Sequence, residues 1–446
     1  MVYQIMRKPQ KLNNWRKLLL HIARITALAV PIIMGIINTP AMRTQTQSAA
    51  TPVPSLEVVS VAPVHLGASM ALMPKLDFRT RAAPSRRVAA GPTPWIKPAV
   101  AGVLDLFKQK RVVALGDDHG LAQEEAFYSA LIRDPQFAET VGNVVVEFGG
   151  EASQGIIDRY VAGEDIPLTE LRRVWTETAG WIPGPTSLGY VNFFANVRAA
   201  NLKLSSEHRI KVWLGDPKID WSKINAFQDL EPFLARRDDN FFRIIGDEIL
   251  KKQKKTLLII GTGHLFGPGS LSARFGEAFP SMLAVVTPLT GYIEPECNAK
   301  VVAQAHDWPV PAVVGPVEGT SLKSELQLSE CNYIPPEQLE RMKARATAPP
   351  PPGLQWQGPG KPPSPADMIA AQISMRSGAN SDAILYLGPP DTFTQSPIDP
   401  NIYLDPDYFK EESRRSQCCV PGGKPLNWDQ ILQQNSLIPK KLQGPR

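Results

Sequence analysis

The sequence predicts an α/β fold, a mostly parallel sheet flanked by helices. Two observations carry this. Five short apolar runs of strand length recur between residues 111 and 289, and helical patterns separate them. Strands paired in parallel need such crossovers, because only a long connection, usually a helix, returns the chain to the same end of the sheet. The carboxylates and imidazoles of this region also collect where the apolar runs end, at the edge where parallel sheets hold their ligands.

In order, residues 111–115 (RVVAL) read as the first strand, and 121–133 as a helix with Leu121, Tyr128, Leu131 and Ile132 on one side. Residues 144–148 (VVVEF) are the second strand, followed by helices at 156–161 and 168–178. A helix at 190–202 leads to the third strand at 211–214 (KVWL), and an amphipathic helix at 239–252 leads to the fourth at 256–260 (TLLII). A helix at 271–279 and a fifth strand at 282–289 close the run. Beyond Gly291 the periodicity fades. Residues 346–365 (ATAPPPPGLQWQGPGKPPSP) are a proline-rich insertion, expected to be extended and solvated. A helix at 368–375 and a strand at 383–387 (AILYL) are expected after it, with the strand rejoining the sheet.

The folded domain is therefore expected over 99–416, with 417–446 as an unstructured tail. Residues 42–98, rich in Ala, Pro, Ser and Thr, read as a low-complexity linker. The chain has 43 prolines in 446 residues, about twice the usual share, which fits a protein of which only part folds. Its first 56 residues hold seven Lys and Arg and no acid. Removing them leaves 41 bases against 43 acids, a net of −2. A near-neutral body lacks the footprint that phosphate backbones require, so nucleic acid is excluded as a partner.

Leu18, Leu19 and Leu20 with the apolar stretch 25–37 follow that basic run and approach the ~20 residues that span a bilayer. Residues 1–41 read as an export signal, either a cleaved signal peptide or a retained membrane anchor. Positive charge before the span orients the rest to the periplasmic or extracytoplasmic side, leaving this segment as the membrane contact. Four cysteines, Cys297, Cys331, Cys418 and Cys419, suit an oxidising compartment. Cys297 with Cys331 is the pairing expected first, since the adjacent Cys418 and Cys419 are hard to join without strain.

The chemistry gathers at two Gly-x-x-His turns, Gly116-Asp117-Asp118-His119 and Gly261-Thr262-Gly263-His264. Asp117, Asp118 and His119 follow the first strand, Glu147 ends the second, Asp216 follows the third and His264 the fourth. Four strands thus bring acid or imidazole to one edge. A carboxylate inside VVVEF is costly unless it is paired or working. Asp117 and Asp118 also suit a helix cap, and Asp216, before Pro217, a turn. Trp175, Trp181 and Tyr190 read as core packing rather than pocket lining. The glycines permit close approach of the backbone, but no Lys-Ser or Lys-Thr follows, so no phosphate loop is formed.

The segments VVALGDDHG, VVVEFGGEASQGIIDRYVAGE with LTELRRVW, and LLIIGTGHLFG resemble the superfamily of ChaN-like haem-uptake proteins, erythromycin esterases and Tiki/TraB proteins. The resemblance covers about 99–291 and extends to 382–415. It implies an α/β fold with a polar pocket made by His119, Glu147 and His264. Where ChaN-like motifs commonly place Glu after the glycine, this chain has Asp117, one methylene shorter.

These readings lead to a hydrolase of ester or amide bonds as the first expectation. His119 or His264 would act as general base on water, with Glu147 or Asp117 orienting it. A metal-assisted version would use His119, Glu147 and His264 as ligands to a divalent ion, with Asp216 as a weaker candidate. No Gly-x-Ser-x-Gly elbow is present, which disfavours a covalent serine. The second expectation is a haem- or iron-binding uptake protein, taking haem or another flat apolar ligand without turnover. A third is an inactive surface domain.

Overall fold

In the computed structural model the described residues are 93–180, 187–267, 269–290, 295–326, 380–399 and 405–420, with 340, 364, 378, 401 and 423–427. The export segment, most of the linker, the helix expected at 368–375, nearly all of the proline-rich insertion and the tail beyond 427 lie outside them. Among the described residues no helix is long and apolar enough to cross a membrane.

Eight strands form one sheet: β1 (Trp95–Pro98), β2 (Val112–Asp117), β3 (Asn143–Gly150), β4 (Lys211–Asp216), β5 (Thr256–Gly261), β6 (Leu283–Pro288), β7 (Ala312–Gly315) and β8 (Ala383–Tyr386). Their spatial order is β1-β7-β8-β6-β2-β5-β3-β4. From β8 to β4 all pairings are parallel. β7 runs antiparallel to both neighbours, β1 and β8. As expected, β8 rejoins the sheet across the insertion, beside β6.

The central strands are parallel because both of their faces are covered. VVALGD, NVVVEFGG and TLLIIG are buried at every position, the pattern of strands that carry helices on either side. Their residues alternate between two cores. Val113, Leu115, Val144, Val146 and Ile259 face one layer, and Val112, Ala114, Val145, Leu258 and Ile260 face the other. The first layer receives α1 (Ala99–Leu106), α2 (Ala122–Arg133), α3 (Gln154–Ala162) and α4 (Leu188–Asn201). The second receives α5 (Arg237–Ile244) and α6 (Leu271–Ala278), through Phe241, Ile244, Leu271 and Phe275.

Phe148, on β3, stacks on Tyr190 of α4 at 4.2 Å between centroids, with Phe193 and Phe194 edge-on. Truncating such a ring costs about 3–5 kcal/mol. Trp175 is buried in the same layer; Trp181 lies outside the described residues.

Several elements depart from the expectation. The helix expected at 239–252 starts at Arg237 and passes at Ile244 into a π-helical stretch, Ile245–Leu250. The single helix expected at 168–178 is two short ones, Leu168–Leu171 and Arg173–Thr176. Order does not fade after Gly291: helices Pro295–Gln304 and Ser321–Leu326 flank β7, a four-residue strand between prolines that leaves no room for periodicity. A helix, α7 (Pro406–Cys419), runs into the stretch expected to be tail. Its buried side is Tyr408, Glu412, Arg415, Ser416 and Cys419, so an apolar stripe could not announce it. At its C-terminal end Cys418 and Cys419 are joined to each other, contrary to the expectation, where the chain turns to extended backbone at Val420. Cys297 is disulfide-bonded too; Cys331 lies outside the described residues.

Candidate active site

Strands β2, β5, β3 and β4 are consecutive neighbours, so their carboxyl ends form one edge. Asp117 and Asp216 are the last residues of their strands, and Asp117 stands in register with Gly261. Glu147 owes its direction to the alternation of β3: Val144, Val146 and Phe148 face the first layer and Val145 the second, so Glu147 turns to the second, toward Arg237 at the start of α5. Val146 pairs with Leu214 and Gly150 with Asp216, so β3 spends four residues against two of β4. Such a bulge bends the strand locally, and it leaves the alternation intact through Phe148.

Asp117 is buried and accepts three hydrogen bonds. Tyr128 gives its hydroxyl to Oδ1 at 2.9 Å, Tyr190 gives its own to Oδ2, and His119 Nδ1 lies 2.6 Å from Oδ2. Fixing Nδ1 turns the other nitrogen outward, and His119 Nε2 faces Glu147 Oε2 at 4.0 Å. The ring lies over the end of β5, where a side chain on Gly261 would stand 2.9 Å from its Cε1 and Nε2 atoms. That contact explains why the turn carries glycine.

Glu147 is held from three directions. Its Oε2 takes the Gly261 N–H, and its Oε1 takes Arg237 Nη2 at 2.5 Å and lies 3.4 Å from His264 Nε2. Arg237 reaches on to Asp216, with Nε 2.6 Å from Oδ1. Asp216 Oδ2 accepts the backbone N–H groups of Ala179 and Gly180. The guanidinium passes so close to Gly180 that any side chain there would overlap it. His264 is held from behind by Asp238, Nδ1 to Oδ1 at 2.5 Å.

Two histidine–carboxylate pairs, Asp117–His119 and Asp238–His264, thus face one carboxylate from opposite sides. Burial alone would depress both imidazoles. Glu147 and Asp117 override it at His119, and Asp238 and Glu147 at His264, and each is raised to about 9. Burial would raise Glu147, but Arg237 and the two histidines hold it well below the usual carboxylate range. Burial raises Asp216 against the opposing pull of Arg237. The His119 ring is 40% exposed and His264 21%, whereas Glu147 is 3% and Asp216 0%. The imidazoles can meet a ligand, and the carboxylates can only tune them.

This donor set does not fit a divalent ion. The metal set of His119, Glu147, His264 and Asp216 is not formed, and no three such side chains among the described residues converge as ligands. Arg237 bonds Glu147 and Asp216 and reaches His264 Nε2 at 3.3 Å, so a permanent positive charge borders three of these four groups. Haem fits no better, since a porphyrin needs a broad apolar face and these rings border Glu147, Arg237, Asp117 and Asp238.

All five residues singled out in the sequence, Asp117, His119, Glu147, Asp216 and His264, meet in this network. Asp118 does not cap α2, whose N-cap is Leu121; its N–H is taken by Glu124 Oε2 at 2.9 Å. Tyr190 bonds Asp117 as well as packing in the core. Missing from the sequence reading were Arg237 and Asp238, and Tyr128, read there only as helix packing, bonds Asp117. Arg237 and Asp238 sit in the run Arg236-Arg237-Asp238-Asp239, which by itself looks like a solvated helix start.

No family model matches the chain, and no curated protein matches it. Two solved structures are similar to part of it. One is RRSP, a MARTX toxin effector domain from Vibrio vulnificus CMCP6, at 14% identity over 43% of this chain and 36% of that one, with a TM-score of 0.29. The other is the type III effector HopBA1, at 13% identity over 43% of this chain and 82% of that one, with a TM-score of 0.27. The chain spans about a third of the length of the first. Likeness this slight says nothing of activity, and the ChaN-like resemblance of the turns rests on the sequence alone.

Proposed function

We propose that the chain is a hydrolase of ester or amide bonds that activates water by acid–base chemistry without a metal. The observation that carries it is the facing of the Asp117–His119 and Asp238–His264 pairs across Glu147.

His119, with Nδ1–H held by Asp117, takes a proton from water at Nε2, and the imidazolium that forms is stabilised by Asp117 and Glu147. The water oxygen attacks the carbonyl carbon. Arg237 and protonated His264 set positive charge beside the developing oxyanion. His264 then releases its Nε2 proton to the leaving group, and Asp238 holds the ring in place for this step. Glu147 stays ionised, and Glu147 and Asp216 together keep Arg237 aligned.

On this reading residues 1–41 export the domain, and the substrate is a small molecule met outside the cytoplasm. The test is a panel of aryl esters and anilides offered to the full chain in the presence of a chelator. Chelator-insensitive turnover lost in both His119→Ala and His264→Ala supports the reading. A Soret shift with haemin and no turnover overturns it in favour of the haem-binding alternative.

A further inference from the structure

Helices α2 and α4 carry the two tyrosines that grip Asp117, yet neither begins with a side-chain cap: Leu121 and Ser187 stand at the N-cap positions and make no capping bond. The first N–H groups of a helix need partners from outside it. Here they come from one stretch of chain after β8. Ala122 N–H donates to Thr394 O at 3.0 Å, and Leu188 N–H to Pro397 O at 2.7 Å. Leu121 pairs with Gln395, and Ser187 with Ile398, as isolated antiparallel bridges. Gln123 adds a clasp, its Oε1 accepting Thr394 N–H at 3.1 Å and its Nε2 donating to Thr392 O at 3.2 Å.

Between these two anchorages the same stretch makes one bond to the catalytic turn. Ser396 N–H donates to Gly120 O at 2.7 Å. Gly120 directly follows His119 and has a φ of +82°, a left-handed conformation that must be held from outside to set the turn.

We propose that residues 393–399 are a brace that positions His119, with Ser396 as the positioning residue acting through its backbone N–H on Gly120. The brace fixes the ring by the turn and, through the starts of α2 and α4, the tyrosines that hold its carboxylate. This rests on the reading of His119 as the base.

Comparing Ser396→Pro with Ser396→Ala in the full chain isolates the backbone change, because both lose the hydroxyl that bonds Glu125 and only proline also loses the N–H and fixes φ. Two quantities are read: kcat and KM on an ester the wild-type chain turns over, and the NMR titration of each histidine Cε1–H, assigned with His119→Gln and His264→Gln. In Ser396→Pro, kcat is expected to fall about tenfold or more with KM little changed. The His119 titration is expected to drop from about 9 toward 6.5, with His264 remaining near 9. Ser396→Ala keeps the backbone N–H and loses only the hydroxyl that bonds Glu125, so its His119 titration should stay near 9. If Ser396→Pro does not fold, Gln123→Ala, which opens the clasp alone, should move the same quantities the same way. An unchanged His119 titration in a folded Ser396→Pro or Gln123→Ala chain overturns the brace, as does a joint shift of both histidines. Should no ester be turned over at all, the hydrolase reading fails while the titration still decides the brace.

Discussion

Arg237 and Glu147 lie 2.5 Å apart at the mouth of the sheet, a guanidinium bonded to a carboxylate from a strand 90 residues earlier. Asp216 flanks the same cation. Removing it by Arg237→Ala leaves two buried carboxylates without their counter-charge, which should cost about 3–5 kcal/mol. Urea denaturation measures this. Arg237→Lys should recover only part of the loss, since one ammonium cannot reproduce a fork that spans two acids.

The rate should depend on pH as a narrow bell. His119 must be neutral to accept a proton and His264 charged to give one, and both are raised to about 9. Turnover is then expected to climb from neutral pH to a maximum near 9 and to fall beyond it. Asp238→Asn should bring the descending limb to lower pH, because His264 loses a partner that favours its charge. A pH profile of kcat/KM checks both.

Stability should follow the same groups with a definite sign. Each imidazole is held charged by the fold, so its contribution is present in full below the unfolded value of 6.5 and is lost as pH rises through about 9. Thermal unfolding between pH 6 and 10 should show Tm declining across that window, and the decline should be shallower in His264→Gln.

Gly261→Ala should separate site from scaffold. The added methyl meets the far end of the His119 ring at 2.9 Å and Glu147 Oε2 at 3.1 Å, with no backbone atom among its nearest contacts, so the side chains of the site must give rather than the strand. Turnover should fall by about 10- to 100-fold with a Tm close to that of the wild type.

Tyr190→Phe keeps the stack on Phe148 but removes a hydroxyl from Asp117. A buried carboxylate losing one of its donors should cost about 1–3 kcal/mol, again measured by urea denaturation.

How far the sequence could lead follows from the same contacts. The parallel strands were legible because β2, β3 and β5 are buried on both faces and so are written in nearly continuous apolar residues, interrupted in β3 by Glu147. Asp117, His119, Glu147, Asp216 and His264 were legible because strand ends are where such a sheet exposes polar groups. Arg237 and Asp238 were not, since their partners lie far off in the chain and nothing local distinguishes them from a solvated helix start. The helix Pro406–Cys419 escaped because its buried side includes Glu412 and Arg415, and the brace because irregular backbone bonds carry no side-chain pattern.

The most direct test of acid–base catalysis without a metal is one preparation of the full chain, freed of divalent ions by chelation, assayed for ester turnover and analysed for bound metal by mass spectrometry. The expected result is undiminished turnover with metal far below one ion per chain. Activity lost on chelation and restored in proportion to one bound ion per chain would contradict it.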